Sequence, residues 1–110
     1  MGNPLPKDDS NKLSQMTSVF GGKNKSLTVG TAAVLAEVTT GAARNVLNLQ
    51  HYAVTGTTAK VYYGFNASVT IANGHLLPYN QLVSLQVTSN VTVYLISDTV
   101  GQDVRISELL

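Results

Sequence analysis

At 110 residues the chain has room for one domain. Only 12% of its residues are charged and the net charge is +1, which excludes the dense basic cluster of a nucleic-acid arm. It has no cysteine, which excludes a disulfide framework and any thiolate metal site.

Residues 1–25 form a polar leader poor in strand signals. Pro4 and Pro6 remove backbone donors and favour extended chain. Two aspartates and several Asn, Ser, Lys and Gln leave little apolar area to offset the entropy of ordering. The exceptions are Leu5, Leu13, Met16, Val19 and Phe20. Apolar residues spaced in this way suit an arm that docks into pockets on a partner; the alternative is an untethered tail. Gly21-Gly22 is the expected hinge. The leader carries Lys7, Lys12, Lys23 and Lys25 against Asp8 and Asp9. That excess of positive charge steers it toward an acidic protein surface rather than a polyanion. It contains no apolar run of the kind a secretory signal requires, and no apolar run anywhere is long enough for a membrane helix.

Residues 26–110 alternate strand and turn. Val and Thr together number 26, and such β-branched usage favours sheet. Residues 26–38 hold one or two strands with Gly30 at a bend. A turn at Thr39-Thr40-Gly41 follows. Residues 44–51 place Leu47, Leu49 and His51 on one face and Val46, Asn48 and Gln50 on the other. His51 therefore reads as a core histidine.

Thr55 to Thr58 form the next turn, and residues 59–65 alternate Val61, Tyr63 and Phe65 against Lys60 and Tyr62. A strand over 68–72 meets Asn73-Gly74, a strong hairpin signal. Residues 82–88 and 91–97 flank a tight turn at Ser89-Asn90, and a last strand covers 103–108. Seven or eight short strands at this spacing predict an all-β body: a small antiparallel sandwich or barrel, jelly-roll-like, carrying an extended N-terminal arm.

Residues that carry chemistry are sparse. His51 and His75 stand at no recognisable metal-ligand spacing with any carboxylate, so no metal is expected. No Gly-x-Ser-x-Gly elbow and no phosphate loop occurs. The five tyrosines lack the interleaved Lys and Arg of a nucleic-acid surface. Exposed Tyr beside Asn and Gln can bind sugar. Tyrosines that pack on one face and hydrogen-bond at the rim also suit subunit contacts. Tyr62, Tyr79, Tyr94 and His75 are the residues expected at such an interface. No catalytic residue and no cofactor is expected.

Several segments, taken in order, resemble a small β-domain of tailed-bacteriophage virion proteins. Ala43-Arg44-Asn45-Val46-Leu47-Asn48-Leu49-Gln50 looks like that family's Arg-x-x-Leu-x-Ile-Gln-Asn strand. Val61-Tyr62-Tyr63-Gly64-Phe65 is similar to its Val-Tyr-Val-Gly-Phe strand. Asn73-Gly74-His75-Leu76-Leu77-Pro78 resembles its Gly-x-x-Leu-x-Pro turn, although no Gly follows Pro78. Residues 91–97 followed by 103–108 look like its closing strands. Asn3-Pro4-Leu5-Pro6-Lys7-Asp8 is similar to the start of phage head-decoration and head-fibre proteins, where such a leader is an anchoring arm.

The resemblance implies a structural, non-enzymatic virion protein, made in the host cytoplasm and placed on the phage head as a decoration or cement protein. It implies the major capsid protein or another virion protein as partner and a homo-oligomer, with a trimer favoured. It also leaves open a neck, tail or fibre-base part. From the tyrosines and amides, a surface carbohydrate-binding module stays open as well.

Overall fold

The computed structural model of the protein describes residues 22–38 and 43–110. The expected arm anchors Leu5, Leu13, Met16, Val19 and Phe20 lie outside the described residues, as do Gly21 of the hinge and the turn at 39–41. Among the described residues there is no helix.

Among the described residues eight strands build the body: β1 Lys23–Val29, β2 Val34–Leu35, β3 Val46–His51, β4 Val61–Gly64, β5 His75–Leu77, β6 Val83–Leu85, β7 Tyr94–Ser97 and β8 Gln102–Leu109. They form two antiparallel four-stranded sheets, ordered β1-β8-β3-β6 and β2-β7-β4-β5. Only β4 and β5 are consecutive strands in one sheet; every other connection crosses between the sheets. This is the jelly-roll connectivity, two interlocked Greek keys. The expected all-β, jelly-roll-like architecture is what the chain forms, as a sandwich.

Apolar residues alternating along the strands fill the space between the sheets. The first sheet supplies Val29, Leu47, Leu49, Val104 and Ile106, and the second supplies Val61, Leu77 and Leu95; Ala36 and Val93 complete the buried cluster. His51 continues the inward row of β3 and is fully buried, in keeping with its reading as a core residue. Its Nε2 lies 3.0 Å from Gln102 Oε1, while Nδ1 has no partner among the described residues.

A second buried polar feature closes one end. Arg44 Nη1 stands 3.5 Å from Glu108 Oε2, both side chains almost fully buried, and Arg44 Nη2 donates to the Val91 carbonyl at 2.6 Å. Arg44 thus ties the entry of β3, the end of β8 and the β6–β7 connection together.

Turn chemistry punctuates the strands. Gly56 (φ 81°) occupies the left-handed position of the 54–57 turn, which Thr57 N closes on the Val54 carbonyl at 3.1 Å. The Ser89-Asn90 turn forms as expected, with Val91 N donating to the Thr88 carbonyl. It links strands of different sheets rather than a hairpin.

Two expectations are corrected. The body does not begin at residue 26: Lys23, Asn24 and Lys25 pair with Glu108, Ser107 and Ile106. Sheet pairing is a backbone matter, and an edge strand tolerates charged side chains. Residues 68–72 are not a strand but part of the loop joining β4 to β5. Neither Asn73 nor Gly74 has the positive φ that a two-residue hairpin turn demands. Asn73 Oδ1 instead accepts from Thr70 N, and Gly74 N donates to the Thr70 carbonyl, so the segment coils on itself. Glycine is needed at 74 for space: a Cβ there would lie 2.7 Å from Tyr62 Cβ and 3.0 Å from the Thr70 carbonyl oxygen.

Candidate functional site: the two outer sheet faces

The inner faces of the two sheets are alike, and the outer faces are not. Strand register sorts the outward residues of the first sheet into three rows: Asn24, Ser107, Asn48 and Ser84; Ser26, Arg105 and Gln50; Thr28, Asp103 and Tyr52. Every position in these rows is polar or can hydrogen-bond; beyond Asn48 and Ser107 the face ends in an apolar pair, Val46 and Leu109.

Two chains of contacts run over this face. Ser84 Oγ donates to Asn48 Oδ1, and Asn48 Nδ2 donates to Ser107 Oγ at 3.1 Å. Ser26 Oγ donates to Asp103 Oδ1 at 2.6 Å, and Arg105 grips the same carboxylate with Nε and Nη2 at 2.9 to 3.1 Å. The Arg105 guanidinium beside it holds the Asp103 carboxyl below its usual value, helped by Ser26, and Asp103 in turn raises Arg105. The guanidinium also lies over the Tyr52 ring, 4.2 Å from its centroid. An open groove of about 530 Å³ is lined by Asn24, Lys25, Ser26, Gln50, Tyr52 and Arg105.

The second sheet presents the opposite chemistry. Its outward rows are Leu35, Tyr94 and Gly64, then Ile96, Tyr62 and Leu76. Neither row holds a charged residue. Leu76 is 53% exposed, whereas Ile96 in the middle of its row is 9% exposed, shielded by its neighbours. Charge returns only at the next position along the strands. There Asp98 Oδ1 accepts from Lys60 N at 2.9 Å and from Thr99 Oγ1 at 2.9 Å. Those two bonds, the backbone one first, lower the Asp98 carboxyl below its usual value.

The expected interface residues divide. Tyr62 and Tyr94 stand in neighbouring rows of the apolar face. His75 does not join them; it pairs with Tyr63 in register, on the opposite side of the sheet. Its ring lies 5.2 Å from that of Tyr63 and 6.3 Å from that of Phe65. Tyr79 packs beside His51 at 5.5 Å and shares a small hollow with Leu76 of the apolar face. Sequence reasoning overlooked Leu35, Leu76 and Ile96 as members of the outer face. The signal was present: VL, VYYG, HLL and YLIS lack the polar alternation of a strand with one solvated side.

Among the described residues no three His, Cys, Asp or Glu side chains stand close enough together to hold a metal ion. In comparisons with protein-family models, curated proteins and solved structures, nothing matches this chain.

Proposed function

We propose that the protein is a structural component of a tailed-phage virion, a capsid decoration or cement protein on the head surface. In this reading the jelly-roll body assembles into a homo-oligomer, a trimer by preference. The segment before β1 ties it to the major capsid protein or a neighbouring virion protein through Leu5, Leu13, Met16, Val19 and Phe20. The role is adhesive and needs neither catalytic residue nor cofactor.

The observation that carries the reading is the charge-free outer face of the second sheet. A monomeric sandwich with that sheet in water keeps polar residues on its outer side. Contiguous apolar surface on a small domain marks an interaction site. Tyr62 and Tyr94 bring apolar rings with a hydroxyl at the rim, the residue type enriched at protein interfaces. A closed ring of copies buries one such face per subunit. Arms that dock on neighbours add linked contacts, each weak alone but strengthened by high effective concentration.

Deleting residues 1–20 tests the anchoring role. The truncated body is expected to stay folded, because β1 begins only at Lys23, and to lose binding to purified phage heads. Retained binding refutes the anchor. Copy number in purified particles separates the shell from the alternatives: hundreds per particle place the protein on the head, and a dozen or fewer place it in a neck, tail or fibre base.

A further inference from the structure

We infer that the outer face of the first sheet is a binding shelf for neutral oligosaccharide, centred on Tyr52 and Gln50. The inference is independent of the proposed virion role, since this face lies on the other side of the sandwich from the apolar one.

Three observations meet at the shelf. The first is an aromatic platform. Tyr52 is 53% exposed, yet its ring is braced by the Arg105 guanidinium at 4.2 Å. A ring held in place before binding loses little entropy on contact with the apolar C–H face of a sugar.

The second observation is that the charges at the centre of the shelf are paired. The one guanidinium on the shelf is gripped by Asp103, and Asp103 is further held by Ser26. The two charges satisfy each other, and the exposed Lys25 at the rim of the groove is a single cation whose pull on a phosphate, sulfate or carboxylate is screened by salt.

The third is open hydrogen-bonding capacity. The contacts on this face run Ser84–Asn48–Ser107 and Ser26–Asp103–Arg105, and the amides of Asn24 and Gln50 stand outside both chains. Each amide offers two donors and an acceptor. That matches sugar hydroxyls, which give and accept at adjacent carbons. Gln50 pairs with Arg105 across the strands, and Ser26 lies beyond, so the polar groups line the floor of the 530 Å³ groove that Tyr52 borders. Its size fits two or three sugar rings rather than a macromolecular partner, which needs a wider surface.

The test uses the full chain with ¹⁵N label and three neutral probes (maltohexaose, cellohexaose and chitohexaose) beside a heparin-derived sulfated hexasaccharide. Millimolar binding of at least one neutral probe is expected, with amide shifts confined to residues 24–26, 50–52 and 103–105. Tyr52→Ala should weaken that binding at least about tenfold, through loss of the stacking ring. Gln50→Ala should weaken it about fivefold, for one or two lost hydrogen bonds. Both variants should keep the dispersed spectrum of the parent, and Ser68→Ala in the β4–β5 loop, whose side chain bonds only to Asn66, should bind as the parent does. Absence of binding to all three neutral probes overturns the inference. So does binding of the sulfated probe alone, or neutral binding whose shifts map elsewhere or survive both Tyr52→Ala and Gln50→Ala.

Discussion

The two sheets of this sandwich share a core and differ in what they show the outside. In the first, polar residues stand at nearly every outward position and hold one another in short chains such as Ser26–Asp103–Arg105. In the second, Leu35, Tyr94, Tyr62 and Leu76 face outward with no charge among them, around a buried Ile96 and a Gly64 against which Val69 of the β4–β5 loop packs. Burial of the inner faces suffices to make the fold, so the difference outside is not required by folding. The proposed roles rest on this contrast: a polar face that would suit small polar ligands and an uncharged one that would suit a protein surface.

The largest effect is expected at a buried ion pair at the end of the first sheet. Glu108 is a buried charge, and Arg44 is its partner. Glu108→Ala leaves the guanidinium buried without its counter-ion and should cost about 3–5 kcal/mol in urea unfolding. Replacing both residues with apolar side chains should restore most of it. If Glu108→Ala proves silent, the pair does not hold the ends of β3 and β8 together.

The inner faces are expected to respond alike. Leu49→Ala in the first sheet and Leu95→Ala in the second should each cost about 2–5 kcal/mol, since both are fully buried against the opposite layer. A large disparity in thermal or urea unfolding would mean that the two sheets do not melt as one unit.

Gly74→Ala probes the packing beneath the apolar face. Its Cβ would collide with the Tyr62 backbone-proximal carbon and the Thr70 carbonyl. A loss of about 1–3 kcal/mol is expected. An unchanged midpoint would show that the β4–β5 loop yields without cost.

The smallest effect is electrostatic. Asp103 on the polar face and Asp98 at the edge of the apolar one both have carboxyls lowered from the ordinary value of 3.8. A lowered folded-state value means that the charged form is favoured by folding. Its contribution is complete above the ordinary value and is lost as pH falls through the folded one. The melting temperature should therefore drop on acidification below about 3.8, and Asp98→Asn and Asp103→Asn should each flatten that acid limb slightly, both groups being solvent-exposed.

Much of the fold was legible in the chain because alternation is a local property. Leu47, Leu49 and His51 announce an inward row, and Val104 and Ile106 announce another between Asp103, Arg105 and Ser107. Asn73-Gly74 misled because local turn preference gave way to packing: Tyr62 and the Thr70 carbonyl require a residue without a Cβ there. The outer faces were only half legible. Tyr62 and Tyr94 carried an aromatic signal, but which residues share a row depends on register between strands distant in sequence, such as Tyr62 with Ile96. The polar shelf was hidden for the same reason, since Gln50, Arg105 and Ser26 meet only through pairing across β3, β8 and β1.

Sedimentation equilibrium of the full chain beside its Tyr62→Glu variant tests the asymmetry of the faces most directly. The parent should have a mass several times 11.6 kDa, with a trimer favoured. The variant should sediment as a folded monomer, its association weakened at least about thirtyfold by a charge placed at the centre of the contact. A parent that stays at 11.6 kDa across the concentration range, or a variant that assembles as the parent does, would contradict the assignment of that face to assembly.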